Sequence, residues 1–500
     1  MAGLDPEFTE LPLRTLADAA LQRAADLGAT HADVRVERIR TGSHALRDGE
    51  LERTVDDVVL GLAVRVVHDG AWGFAAGITV TPDAAAVLAE QAVATARVSA
   101  PLTSRRVELA PEPVYADATW VAPCERNPFA VSESERIGRL RELSARLLAS
   151  DGVDHADARV TFVQENTFYA DLAGSSITQQ RTRIDPEFTA LSVSDAGFSS
   201  MRTVGPPTGR GWEYLTGIGW DFDAEIAELP ELLAEHVKAP SVEPGRYDLV
   251  IDPTNLWLTI HESVAHATEL DRALGYEAAY AGTSFATPDQ LGTLRYGSEL
   301  MNVTGDRVTP HGLATIGWDD EGVAAQTFDI VRDGVLVGFQ LNRQMAAEQG
   351  LPRSNGCAFA DSPGHIPLQR MPNVSLQPAP DGPDTAGLID QIEDGIYVVG
   401  DKSWSIDMQR YNFQFTGQRF FRIRNGRLAG QLRDVAYQAT TTDFWRSLRA
   451  LGGPQTWLLH GAPNCGKGQP GQIAPVSHGC PSALFTGVNI LNTRTDGGRA

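Results

Sequence analysis

The sequence predicts an α+β protein: a duplicated helix–sheet–helix N-terminal region followed by a strand-rich C-terminal domain. Three observations predict it. Gly28-Ala29-Thr30-His31-Ala32-Asp33-Val34-Arg35-Val36 matches Gly152-Val153-Asp154-His155-Ala156-Asp157-Ala158-Arg159-Val160 at six of nine places. In each copy an amphipathic helix precedes the match, glycine stands where that helix would end, and an alternating strand follows. From Tyr247 onward strand patterns dominate, and Asp333-Gly334 and Asn425-Gly426 each sit between alternating apolar stretches, a strong hairpin signal. Finally, 500 residues with 42 % hydrophobic content give two to four globular domains with ample core.

Taken in order, the first unit has a helix over about residues 14–27, several strands, and a second helix over about 82–96. The second unit repeats this. A capping box from Ser132 to Glu135 opens a helix over about 133–150, strands follow, and a helix covers about 224–236. His31 and His155 fill equivalent slots of the repeat, which marks them as structural. A shorter echo, Asp5-Pro6-Glu7-Phe8-Thr9 with Asp185-Pro186-Glu187-Phe188-Thr189, falls out of register and reads as coincidence. Pro111-Glu112-Pro113 and the stretch 240–245 mark boundaries. The expected units are therefore 1–112, 113–241 and 242–500.

The formal net charge of −22 argues against binding a nucleic-acid backbone or an anionic membrane, both of which reward a basic face. No stretch approaches the roughly 20 apolar residues of a membrane helix. The first nine residues lack the basic and apolar segments of a signal peptide. Cys124, Cys357, Cys465 and Cys480 are too scattered for a disulfide framework. A cytoplasmic location with reduced thiols is the expectation.

The third unit opens on a buried strand, Tyr247-Asp248-Leu249-Val250-Ile251. Asp252-Pro253 then supplies an N-cap and a proline at the first helical position. Leu256, Trp257, Ile260, Val264 and Ala265 give the helix a broad apolar face. On it lies His261-Glu262-Ser263-Val264-Ala265-His266. Two imidazoles can bind a metal, and a neighbouring carboxylate can take a proton from an attacking water. The usual motif spaces its histidines i and i+4, about 40° apart on a regular helix; here i and i+5 puts them about 140° apart. A π-type turn would restore a common face.

A catalytic zinc normally has a third protein ligand. Glu269, Asp271, His311, His365, His460, His478 and Cys465 are all candidates. Cys465 stands out because it lies in a glycine-rich segment beside Lys467, which would help to ionise the thiol. An ordinary loop cysteine is the alternative.

Taken together, these segments resemble the TldD/PmbA family of zinc metallopeptidases, in its metal-bearing TldD-like branch. The resemblance rests on His261 to His266, the acidic Glu269-Leu270-Asp271, Gly282-Thr283-Ser284-Phe285, Arg370-Met371-Pro372-Asn373, Cys465-Gly466-Lys467, Pro475-Val476 and Gly479-Cys480-Pro481. It spans about Leu13 to Ile490. Departures are Ala265 where the family often has glycine, a different acidic stretch, and a loop after Lys467 two residues longer. The resemblance implies Zn2+ held by His261, His266 and Cys465, with Glu262 as general base. It implies peptide or unfolded-protein substrates and a two-fold assembly around a cavity, either a homodimer or a heterodimer with a homologous subunit lacking the metal motif. The N-terminal units would then form walls or a gate. Two alternatives share the resemblance: a dedicated processing peptidase of a peptide natural-product pathway, and a non-catalytic, chaperone-like subunit of a peptidase pair. The intact motif weighs against the second.

Overall fold

The computed structural model describes residues 3–194, 197–468 and 470–494. The helix Leu13–Asp26 ends ahead of Gly28, whose φ of 87° turns the chain into β1 (His31–Arg47). β1 folds back as β2 (Glu50–His68), and β3 (Ala71–Gly77) leads to the helix Pro82–Ser99. A short β4 (Ala118–Val121) precedes the second copy. There Ser132 caps the helix Glu133–Leu148 by accepting from the Glu135 amide. β5 (His155–Asp171), β6 (Ser176–Ser194), β7 (Gly197–Arg202) and the helix Phe222–Lys238 complete it. Both copies thus run helix, long hairpin, short strand, helix, as the duplication predicts.

The two copies build one sheet, in the order β3-β2-β1-β5-β6-β4, with β7 also on β6. Their junction is the antiparallel β1–β5 pair, in which Arg40 faces Gln164. Each lies nine residues beyond the repeat histidine that opens its strand, so equivalent positions meet across a local two-fold axis. The boundary near residue 112 therefore separates repeats within one sheet. His31 and His155 pair with Asp33 and Asp48 at 3.0 and 2.8 Å, in keeping with structural roles. The five-residue echo has no common structure, since Pro6–Thr9 is a helical turn and its counterpart lies within β6.

In the C-terminal region β8 (Gly245–Ile251) lies between the strands Asp394–Ile406 and Ala483–Asn492. Beyond the latter come Val435–Thr440, Asn412–Arg424 and Arg427–Leu432, with Leu448–Leu451 also on Ala483–Asn492. Asn425 and Gly426, with φ of 47° and 75°, make the expected hairpin turn. Asp333 and Gly334, at 49° and 77°, do so in a smaller four-stranded sheet. The pairing is not wholly antiparallel: β8 and Asp394–Ile406 run parallel, Asp248 opposite Gly395. The long excursion between them gives the chain room to cross over and return in the same direction.

The motif helix packs on this sheet. Leu256, Ile260 and Val264 are fully buried in one core with Leu249, Ile251 and Ile396, and burying each such side chain contributes roughly 1.5–3 kcal/mol. Buried ion pairs fasten the N-terminal sheet to the C-terminal region. Arg65 Nη1 donates to Glu321 Oε1 and Arg35 Nη1 to Asp320 Oδ2, both at 3.0 Å. Among the described residues no helix is long and apolar enough to cross a membrane.

Candidate metal centre

Asp252 caps the helix Pro253–Ile260 by accepting from the Thr254 amide at 3.0 Å. A π-helical turn, His261–Ala265, follows, and then a 3-10 turn, His266–Thr268. The His266 amide donates to the His261 carbonyl, the i to i+5 bond that the spacing requires. Groups outside the helix brace the widened turn. Tyr296 Oη donates to the Ser263 carbonyl and Gln340 Nε2 to the Ala265 carbonyl, each at 2.5 Å, while Trp445 Nε1 donates to Ser263 Oγ at 2.9 Å. The extra residue per turn is thus held by buried partners, and both rings swing to one side, 4.6 Å apart between centroids.

The third donor arrives on a hairpin, Leu458–Lys467 with Gln472–Cys480. Its register shifts between Ala462 and Cys465, after which Cys465 faces Ala474. Cys465 Sγ lies 3.5 Å from His266 Nε2. One ligand atom from each of His261, His266 and Cys465 lies within 4.8 Å of the other two, all buried. The sequence-predicted trio is therefore brought together.

Hydrogen bonding fixes both imidazole tautomers. Glu269 Oε2 can only accept, so His266 Nδ1 donates to it at 2.8 Å and Nε2 keeps its lone pair. A longer relay serves His261. His478 Nδ1 donates to the Val374 carbonyl at 2.9 Å, which leaves His478 Nε2 to accept from His261 Nδ1 at 2.8 Å. Burial pushes both ligand histidines below their usual pKa, His266 furthest, which favours neutral rings. Burial also raises the Cys465 thiol to about 11 without a metal, against the opposing charge of Arg370, whose Nη2 donates to the Cys465 carbonyl at 2.7 Å. Two Nε2 lone pairs and one sulfur, each already oriented by an outer partner, fit a borderline-soft divalent ion such as zinc.

Lys467 acts on Cys465 in the direction the sequence suggested, favouring the thiolate, but its main partners are carboxylates. Its ammonium is buried among Glu269 (3.2 Å), Asp271 (2.9 Å) and Glu277 (3.2 Å). Burial would raise Glu269, yet Lys467, His266 and Arg272 together hold it well below the usual carboxylate range. Lys467 therefore keeps Glu269 anionic and aimed at His266, and its influence on Cys465 is secondary to that of Arg370. The other candidate ligands stand elsewhere. His460 stacks on Trp257 at 4.7 Å, His365 pairs with Asp361, and His311 Nδ1 contacts the Gly209 carbonyl at 3.2 Å. Asp271 serves Lys467, and His478 is an outer partner. Cys480 is buried with Sγ 3.7 Å from the Pro253 carbonyl, as expected of a structural cysteine.

Glu262 lies within the π turn, buried, with Oε2 accepting from Arg410 Nη1 at 2.5 Å. Arg410 sits in a tight turn at φ 62°. The turn is bound to the Gly282–Phe285 segment: the Thr283 and Phe285 amides donate to the Met408 and Gln409 carbonyls at 2.8 and 2.9 Å. Gly282 has φ 89°, and a Cβ there would meet the Met408 carbonyl oxygen at 2.0 Å. Gly282→Ala is therefore expected to cost about 2 kcal/mol or more, read as a shift in the urea midpoint. An unshifted midpoint would show that this contact adapts freely.

Residues 244–492 match the PmbA/TldA metallopeptidase C-terminal domain, and residues 32–96 match PmbA/TldA metallopeptidase domain 1. The chain belongs to the TldD/PmbA family. It is a metalloprotease of that family, and the His261, His266 and Cys465 group aligns it with the metal-bearing, TldD-like branch. It is 28 % identical over 470 residues to a metalloprotease of Methanothermobacter thermautotrophicus, covering 93 % of this chain and 96 % of that one. Against a zinc metalloprotease TldD homolog of Saccharolobus solfataricus the identity is 23 %, over 86 % and 90 % of the two chains. In fold it is similar to crystal-structure TldE from Thermococcus kodakarensis, with a TM-score of 0.72 at 14 % identity over 95 % of this chain and 99 % of that one.

Proposed function

We propose that the chain is a zinc-dependent peptidase that hydrolyses small or unfolded peptides inside a two-subunit cavity. The observation that carries this reading is the convergence of His261, His266 and Cys465, with Glu262 in the same π turn. Bound there, zinc would supply Lewis-acid polarisation of the scissile carbonyl and acidify water. Glu262 would accept a proton from the attacking water and return it to the leaving nitrogen. His478 and Glu269 hold the ligand rings before any substrate arrives, so little reorganisation accompanies the reaction.

Access supports a chain-like substrate. A cleft of about 630 Å³ runs between the N-terminal sheet, at Thr161 and Asp185, and the C-terminal region. Its wall includes Trp257, whose ring lies 6.1 Å from that of His261, and Asn464, the chain neighbour of Cys465, while Glu262 and the three candidate ligands lie behind that wall. Trp404 lines it and, like Met408, is more than half exposed, which suits cover by a substrate or a second subunit. The assembly itself is carried by the family resemblance.

Incubation with a denatured, fluorescently labelled protein tests the proposal. Cleavage should fall below about a tenth on stripping with a chelator and return with zinc, while the same protein in its folded state is spared. Equal cleavage of both forms, or full activity from a monomer in sedimentation, would refute the enclosed cavity. Zinc-independent cleavage would refute the metal chemistry.

A further inference from the structure

Arg410 is not explained by the fold alone. Its guanidinium is largely buried beside the motif turn, and among the described residues its one side-chain hydrogen bond is to Glu262 Oε2. Arg410 Nε is buried without a partner. The backbone holds a non-glycine residue in the left-handed region to place it there. Considerable structure enforces that choice. Asp407 accepts from the amides of Gln409, Tyr411 and Asn412, and Thr441 Oγ1 donates to the Arg410 carbonyl at 2.7 Å. The Gly282–Phe285 segment clamps the same turn from the other side. A rigid turn thus delivers an under-used cation to the carboxylate assigned as general base.

Resting on the peptidase reading above, we propose that Arg410 is a catalytic residue that follows the negative charge from Glu262 to the substrate. In the attack step the water oxygen bonds to the carbonyl carbon, the C=O π pair moves onto the carbonyl oxygen, and the water proton passes to Glu262. Glu262 becomes neutral as the substrate oxygen becomes anionic. A guanidinium holding the carboxylate through Nη1, with Nη2 making no hydrogen bond among the described residues, can bond the new oxyanion through Nη2 as its attraction to Glu262 falls. In collapse the proton moves from Glu262 to the leaving nitrogen, the C–N bond breaks with its pair on nitrogen, and the carbonyl re-forms. Arg410 then returns to the carboxylate. Donors that gain strength only as charge develops lower the barrier without tightening ground-state binding.

The test compares zinc-loaded wild type with Arg410→Asn, which tolerates the left-handed backbone, and Arg410→Lys, which keeps a point charge. Each is assayed for zinc content, kcat, KM and binding of two peptides of equal length. One is an uncleaved N-methyl amide, the other a phosphinate whose tetrahedral anion mimics the charged species. Arg410→Asn should keep zinc and bind the amide within about threefold, yet lose roughly 10²-fold in both kcat and phosphinate affinity. Arg410→Lys should recover part of both losses, and added guanidinium should partly restore the Asn variant. Phosphinate and amide affinities falling equally, zinc loss, or kcat within threefold of wild type would overturn the assignment. A wild type that never cleaves counts against the peptidase reading instead, while the phosphinate-to-amide ratio still judges Arg410.

Discussion

Glu262→Gln is expected to retain zinc and to lose about 10²–10⁴-fold in peptide cleavage. The amide has nearly the carboxylate's shape, and its oxygen can still accept from Arg410, so the turn should keep its packing. What it lacks is the basicity to take a proton from water. The ligands His261, His266 and Cys465 are untouched by the change. Zinc content near one equivalent with turnover below a hundredth of wild type is the predicted pair of readings. Turnover close to wild type would remove Glu262 from the role of base.

Cys465→Ala is expected to act on the other half of the site. It deletes one of three donors, so zinc affinity should fall by more than the 10–100-fold typical of losing an outer-shell partner. Activity at limiting zinc should fall with it and recover in part at high zinc. Cys480→Ala is the control. Its sulfur is equally buried but contacts the Pro253 carbonyl, outside the ligand trio. Competition titration against a chromophoric chelator measures both. Equal affinities for the two variants would show that Cys465 is not a ligand.

The parts of this site legible in the sequence are those with local causes. A five-residue histidine spacing on an apolar helix admits a common metal only through a widened turn, and the π turn His261–Ala265 is what forms. Caps at Asp252 and Ser132 and the Asn425-Gly426 and Asp333-Gly334 turns are equally local. The duplication was legible as self-similarity, but not that both copies share a sheet through β1 and β5, because register between distant strands leaves no mark in either. Distance in sequence also hid the outer shell. His478 lies 217 residues from His261, and Arg410 lies 148 from Glu262. Arg410 stands in a turn with no periodic pattern to single it out. Lys467 was legible only in part, for a related reason: it does favour the Cys465 thiolate, but that is its lesser role. Proximity to Cys465 along the chain suggested a thiol partner, but its ammonium is drawn to the three buried carboxylates of Glu269, Asp271 and Glu277. Unpaired, those charges would be far more costly to bury than a neutral thiol.

Zinc K-edge X-ray absorption on the metal-loaded protein tests the central claim most directly, because it reads the donor set without relying on turnover. The account predicts one sulfur at about 2.3 Å and two imidazole nitrogens at about 2.0–2.1 Å, with a further light-atom position, and loss of the sulfur shell in Cys465→Ala. A shell of nitrogen and oxygen alone in the unmodified protein, or a sulfur signal that survives Cys465→Ala, would contradict it.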